Sequence, residues 1–174
     1  MNHLEKIQKK IYSKVELMEQ ISVWKENGDS VVFTNGCFDL IHLGHISYLS
    51  QAADLGNKFI VGVNSDSSVK RLGKSPTRPL KDEDSRALII ASLAFVDAVI
   101  VFVEDTPFEL IESLVPNVLV KGGDYDPEET NPQSKKYIVG SDIVKDNGGK
   151  VSTLDFVPGY STTSIEQKIK GEKN

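Results

Sequence analysis

Apolar residues along the chain cluster in five short blocks: "SVVFT" (Ser30 to Thr34), "KFIVGV" (Lys58 to Val63), "AVIVFV" (Ala98 to Val103), "NVLVK" (Asn117 to Lys121) and "KVSTLDF" (Lys150 to Phe156). Most are continuous rather than alternating, as expected of strands covered on both faces. Helical spacing fills the intervals. Leu43, Ile46, Leu49 and Ala53 recur at helical period and stop at Gly56, a residue suited to a helix C-terminus. "TPFE" predicts a helix start, with Thr106 as N-cap, Pro107 at the first helical position and Glu109 at the third. Ser134 to Lys145 reads as another helix, ending at Gly148 and Gly149. The long apolar run "ALIIASLAFVDAVIVFV" (Ala87 to Val103) falls short of the ~18 to 20 residues of a membrane span and contains Asp97; it reads as a buried helix running into a buried strand.

Strands alternating with helices imply crossover connections and a parallel sheet with helices on both sides. The predicted fold is a single doubly wound, Rossmann-like α/β domain of about five strands. Residues 1–28 read as a helical extension packed on the domain, 29–170 as the domain itself and 171–174 as a tail. In such sheets ligands bind beyond the carboxyl ends of the strands, where strand order reverses. "TNGCFDLIHLGH", "NSD", "KGGDY" and "GYSTTS" all follow a strand directly and so belong at that end.

Composition narrows the class without identifying the chemistry. A chain of 174 residues fits one domain, and 39% hydrophobic with 26% charged residues excludes disorder and fibrous repeats. The net charge of -5 argues against general affinity for nucleic acid or anionic lipid, so any anion must be held by a local site. Cys37 is the only cysteine, which rules out an intramolecular disulfide and suits a reducing, cytoplasmic setting. The N-terminus, "MNHLEKIQKKIY", lacks the continuous apolar core of a signal peptide.

Two nucleotide-binding signatures fail on inspection. After Gly36 the next glycine is Gly44, so there is no G-x-G-x-x-G, and the glycine that a P-loop ending in "GKS" would need is Ser68. What remains is His42-Leu43-Gly44-His45 on the first turn of the helix after the first strand. Free N–H groups and the positive end of the helix dipole make that turn a place for phosphate. Two imidazoles three residues apart share a face there, and Gly44 leaves room for close approach. Two alternatives remain open: a surface and a core histidine close by chance, or a zinc site, which lacks a third nearby ligand.

"GCFDLIHLGH" resembles the H-x-G-H motif of the nucleotidyltransferase superfamily, in which the histidines hold a triphosphate and stabilise charge on the α-phosphorus. "GYSTTSI" (Gly159 to Ile165) is similar to its second signature, in which Ser and Thr at a late helix N-terminus grip the β and γ phosphates. "GVNSDSSVKRL", "RPL", "EDTP", "LVKGGDY" and "IVGSDIV" together resemble the bacterial heptose 1-phosphate adenylyltransferases, over roughly residues 15 to 170.

The resemblance implies AMP transfer from ATP to a heptose 1-phosphate, with Mg²⁺ held by the phosphates rather than by protein ligands. The product, ADP-heptose, would serve lipopolysaccharide core or S-layer glycan synthesis, the enzyme would be a homodimer, and a separate sugar kinase would supply the acceptor. His42, His45 and Lys70 are the implied catalytic residues. Thr34, Asn35, Gly36, Cys37, Phe38 and Asp39 would line base and ribose, with Gly44 beside the phosphates. Lys121, Gly122 and Gly123 would approach the nucleotide, with Asp124 accepting from a ribose hydroxyl. Of Ser161, Thr162, Thr163 and Ser164, one would cap the helix and the others bind phosphate. Asn64, Asp66, Arg71, Lys74 and Arg78 would contact the sugar phosphate, although Asp66 could equally cap a helix. Lys70, Arg71, Lys74, Arg78 and Lys81 form a basic cluster with no acid between Asp66 and Asp82. Cys37 reads as a packing residue, since no base partner is evident.

The chain departs from the family in two places. Lys74 follows Gly73 where the family has Lys before Gly, and Asp126 to Tyr137 is longer than usual. Two other functions compete: a cytidylyltransferase acting on glycerol 3-phosphate or another alcohol phosphate, and a nucleotide-binding module without catalysis. Retention of His42, His45, Thr162 and Thr163 argues against the module.

Overall fold

The computed structural model describes residues 1–73 and 77–171. Its centre is a five-stranded, all-parallel sheet built from β1 (Val31–Gly36), β2 (Lys58–Asn64), β3 (Ala98–Phe102), β4 (Val118–Gly122) and β5 (Lys150–Leu154), in the order β3-β2-β1-β4-β5. All five predicted strands are present. The chain winds outward from β1 to β2 and β3, then crosses back to β4 and β5, so strand order reverses between β1 and β4.

Helices cover both faces, which is why the strands are apolar at successive positions. Against one face lie α2 (Lys14–Glu26), α6 (Phe108–Leu114) and α7 (Ser141–Asp146), burying Leu17, Ile21, Leu110, Ile111 and Val144 against Val31, Phe33 and Ile60. Against the other lie α3 (Leu43–Ala53) and α5 (Glu83–Ala91), burying Leu49, Ala52, Ala87 and Ile90 against Val32, Phe59 and Val61. Asp97, the charge inside the long apolar run, accepts the backbone N–H of Phe59 at 2.8 Å, next to the start of β2. Between α1 (His3–Gln8) and α2, Ile11 bridges Val99 in parallel and covers part of the β3 edge. No helix among the described residues is long and apolar enough to cross a membrane.

Three local expectations need correction. The helix after Ser134 begins only at Ser141, because Gly140 takes the left-handed φ of +81° and packs against Ile111, where a Cβ would lie 2.8 Å from that side chain. The N-cap of α6 is Pro107 rather than Thr106, and it makes no side-chain capping bond. Gly56 is not a left-handed helix stop, since α3 ends at Ala53. A Cβ at Gly56 would meet Val32 at 2.6 Å and the Ser30 carbonyl at 2.7 Å, so close approach to the start of β1 demands the glycine.

Candidate active site

β1 and β4 pair only through Val32 with Val118 and Phe33 with Leu119, while β1 follows β2 all the way to Gly36. Beyond Phe33 the two central strands therefore part, and a cavity of about 510 Å³ opens at their carboxyl ends. This is within the range of small-ligand sites. Thr34 spans the base of the split: its hydroxyl pairs with the Tyr48 hydroxyl at 2.7 Å and bonds the Val120 carbonyl at 3.0 Å. Thr34 thus lies beneath the cavity with its side chain engaged, whereas Asn35, Gly36, Cys37, Phe38 and Asp39 line it.

His42 is the N-cap of α3 and His45 sits in its first turn. Their rings stack with centroids 3.9 Å apart, and Phe38 meets His45 edge-on at 5.7 Å. Both Nδ1 atoms are buried without a hydrogen-bond partner among the described residues. Leaving such atoms unsatisfied costs free energy that an incoming ligand can recover. Burial, with His42's charge as a lesser cause, pulls the His45 pKa down to about 4, and burial lowers that of His42 too. Both are therefore neutral at neutral pH and present one N–H and one lone pair each. A Cβ on Gly44 would lie 3.0 Å from the His42 ring and 3.3 Å from Cβ of Tyr160, so this glycine makes room for the imidazole and the 160 segment.

The basic cluster is dispersed. Lys70 on α4 (Asp66–Arg71) is exposed and does not line the cavity. Arg71 pairs with Asp105 and the Val103 carbonyl on an exposed rim. Lys81 donates to the Asp39 carbonyl at 2.8 Å. Arg78 does line the cavity, but its guanidinium is held by Glu166 at 2.9 Å. Lys74 lies outside the described residues.

Asn64 lines the cavity and donates to Ser68 at 3.0 Å. Asp66 points elsewhere, to Arg86 at 2.7 Å, and the cap of α4 is Ser65. At the end of β4, Lys121 and Gly122 line the cavity, while Gly123 and Asp124 are exposed in the following turn. A Cβ on Gly122 would lie 2.1 Å from the tip of the Phe156 ring, and one on Gly123 would meet Asp155 at 2.7 Å. Both glycines therefore admit the chain leaving β5. At α8 (Thr162–Lys170), Ser161 is the N-cap and forms a capping box with Ser164; Thr162 reaches the cavity and Thr163 is exposed.

Sequence reasoning missed Tyr48, Tyr125, Phe156 and Arg86. Arg86 is fully buried and gathers the site's backbone: its guanidinium donates to the carbonyls of Lys81 (3.0 Å), Cys37 (2.7 Å) and Asn64 (2.7 Å) and to Asp66. Asp39 does similar work, accepting the N–H groups of Leu80 at 2.9 Å and Lys81 at 3.0 Å. A lone Arg in the otherwise apolar "RALIIA" face was the available signal for Arg86.

The chain is similar to known proteins over most of its length. The chain is 47% identical over 168 residues to the bifunctional protein HldE of Syntrophotalea carbinolica, covering 97% of this chain and 32% of that protein. It is 50% identical over 160 residues to HldE of Trichlorobacter lovleyi (92% and 31%) and 49% identical over 166 residues to HldE of Campylobacter jejuni (95% and 32%). The chain thus spans about a third of the length of these relatives. A crystal structure of the lipopolysaccharide core biosynthesis protein from Thermoplasma volcanium superposes with a TM-score of 0.56 at 28% identity, covering 75% of this chain and 98% of that one. The pantoate-beta-alanine ligase of Francisella tularensis shares the fold alone, at 16% identity and a TM-score of 0.56 over 92% of this chain and 76% of that one. The cytidylyltransferase-like family model matches residues 33–168, from the point in β1 where the central strands part to well inside α8, and the chain belongs to that family.

Proposed function

We propose that this domain transfers AMP from ATP to a heptose 1-phosphate, releasing pyrophosphate and forming ADP-heptose for a bacterial surface polysaccharide. The observation that carries this reading is the stacked pair His42 and His45, whose buried Nδ1 atoms find no partner among the described residues, at the N-terminus of α3, where His45 lines the switch-point cavity with His42 packed behind it. The heptose acceptor is supported by the motifs around Asn64, Lys121 and Thr162. Further support comes from identity to HldE proteins and similarity to a lipopolysaccharide core biosynthesis protein.

In this reaction an oxygen of the sugar phosphate attacks the α-phosphorus, a new P–O bond forms, and the bond to the β-phosphate oxygen breaks as pyrophosphate departs. No nucleophile from the protein is needed. The chain positions two anions and offsets charge as it moves, with the neutral imidazoles donating N–H to phosphoryl oxygens. Thr162 and the first turn of α8 face the distal phosphates. Mg²⁺ carried in on the triphosphate oxygens would offset their charge. The acceptor must come from a sugar kinase activity, and the supply of ATP assigns the reaction to the cytoplasm. We also assign a homodimer, which light scattering tests.

The deciding experiment is pyrophosphate release with ATP and CTP, each against a panel of sugar 1-phosphates and glycerol 3-phosphate. ATP with heptose 1-phosphate should give the highest kcat/KM. Preference for CTP with an alcohol phosphate would overturn the assignment, and no turnover with any pair would reduce the domain to a nucleotide-binding module.

A further inference from the structure

Adenylyl transfer brings together two polyanions, and each needs its own counter-charge. The triphosphate has two helix N-termini and the imidazole pair. Its acceptor was expected to use the loop cations, but among the described residues these are engaged elsewhere: Lys70 lies off the cavity, Arg71 is tied to Asp105, Lys81 to the Asp39 carbonyl and Arg78 to Glu166.

One cation is different. Lys121 is the last residue but one of β4, is 9% exposed and lines the cavity beside the split from β1. Its ammonium donates to the Asn35 side-chain oxygen and lies 6.0 Å from the centre of the Tyr125 ring, and no carboxylate among the described residues pairs with it. Of the charged side chains that line the cavity, Asp39 is met by backbone N–H groups, Asp105 by Arg71 and Arg78 by Glu166; among the described residues Lys121 alone lacks an opposing charge or a set of dipoles. Asn35 takes one of its three donors, which leaves two for a ligand. Burial without a counter-ion pulls its pKa down to about 8, the mark of a charge that the protein itself does not offset.

We propose that Lys121 is the counter-charge for the phosphate of the acceptor sugar, holding that phosphate on the β4 side of the switch point while the α3 turn holds the triphosphate. Asn35 fixes the ammonium, so the two central strands each contribute to the acceptor site. This rests on the adenylyltransferase reading above and replaces the nucleotide-binding roles that the resemblance implied for Lys121 and Asn35.

The test uses Lys121→Met and Asn35→Asp. In Lys121→Met the KM for heptose 1-phosphate should rise about tenfold or more, while calorimetric affinity for the ATP analogue α,β-methylene-ATP changes by less than about twofold. Without substrate, Lys121→Met should melt no lower than wild type, because it removes a buried charge that nothing opposes. Asn35→Asp, which gives the ammonium an internal carboxylate, should raise the same KM with the same small effect on the analogue. A lowered melting temperature with equal losses for both substrates would make Lys121 part of the scaffold. Weakened analogue binding with an unchanged acceptor KM would return it to the nucleotide. Either result overturns the proposal, as does an Asn35→Asp enzyme with unchanged acceptor KM. If wild type prefers another phosphate monoester, the heptose reading fails, and the same partition measured with that acceptor still decides the role of Lys121.

Discussion

Two helix N-termini face the cavity, and they are built differently. The turn at His42 to His45 opens α3, which drives Tyr48, Leu49 and Ala52 into the core and is locked beneath by the Thr34 and Tyr48 hydroxyls. The turn at Ser161 to Ser164 opens α8, whose described side chains include no buried residue. Its tie to the cavity wall is the ion pair from Glu166 to Arg78, with side chains 24% and 17% exposed. Donors already fixed before the reaction need no reorganisation as charge develops, so the α3 turn suits the transferring phosphoryl group. A helix held by an ion pair can seat and release the distal phosphates as substrate enters and pyrophosphate leaves.

The largest expected effects fall on the rigid turn. His45→Ala and His42→Ala should each lower kcat by about 10² to 10³, or roughly 2.7 to 4 kcal/mol, with unfolding temperature near wild type; a variant that kept wild-type kcat would refute a role for that imidazole at the transferring phosphoryl. Gly44→Ala forces a Cβ to 3.0 Å from the His42 ring, and displacement of about 1 Å should cost up to about 10² in kcat. If Gly44→Ala kept full activity, His42 would not need its observed position.

Stability should also depend on pH through this turn. His45 titrates near pH 4 when folded, against about 6.5 for an unperturbed histidine. As pH falls through that window the unfolded chain takes up a proton that the folded one does not. The His45 contribution is thus complete above about pH 6.5 and is lost progressively toward pH 4. Urea melts of His45→Asn should show a shallower fall across the same window, and parallel curves would remove His45 as the cause.

The smaller effects belong to α8. Thr162→Val should raise the KM for ATP about tenfold with a lesser change in kcat, as expected when a hydrogen bond to a charged phosphate is lost. Glu166→Gln removes the ionic tie, so amide exchange across 162–169 should quicken while kcat stays within about threefold. If exchange at α8 matched that at α3 in wild type, the contrast between the two turns would collapse.

Much of this was legible in the one-dimensional pattern. Five apolar blocks separated by helical periods specify a parallel sheet covered on both faces, because only strands buried twice can be apolar at successive positions. Motifs that directly follow those strands must then lie together at their carboxyl ends, as His45, Asn64, Lys121 and Thr162 do. The paired histidines could be placed before any coordinates, since a helix N-terminus after the first strand is defined by neighbours in sequence.

What the sequence could not determine is how charges are apportioned among residues distant in the chain. The cations from Lys70 to Lys81 look alike along the chain, yet one meets Asp105, one Glu166 and one the Asp39 carbonyl. Arg86 is buried where carbonyls from Cys37, Asn64 and Lys81 converge on it, and Lys121, beside the split between β4 and β1, meets no carboxylate among the described residues. Periodicity records which residues must leave water; it carries nothing about which partner a buried charge meets. That depends on the crossover from β3 back to β4 and on where two strands stop pairing, and the tertiary structure alone decided both.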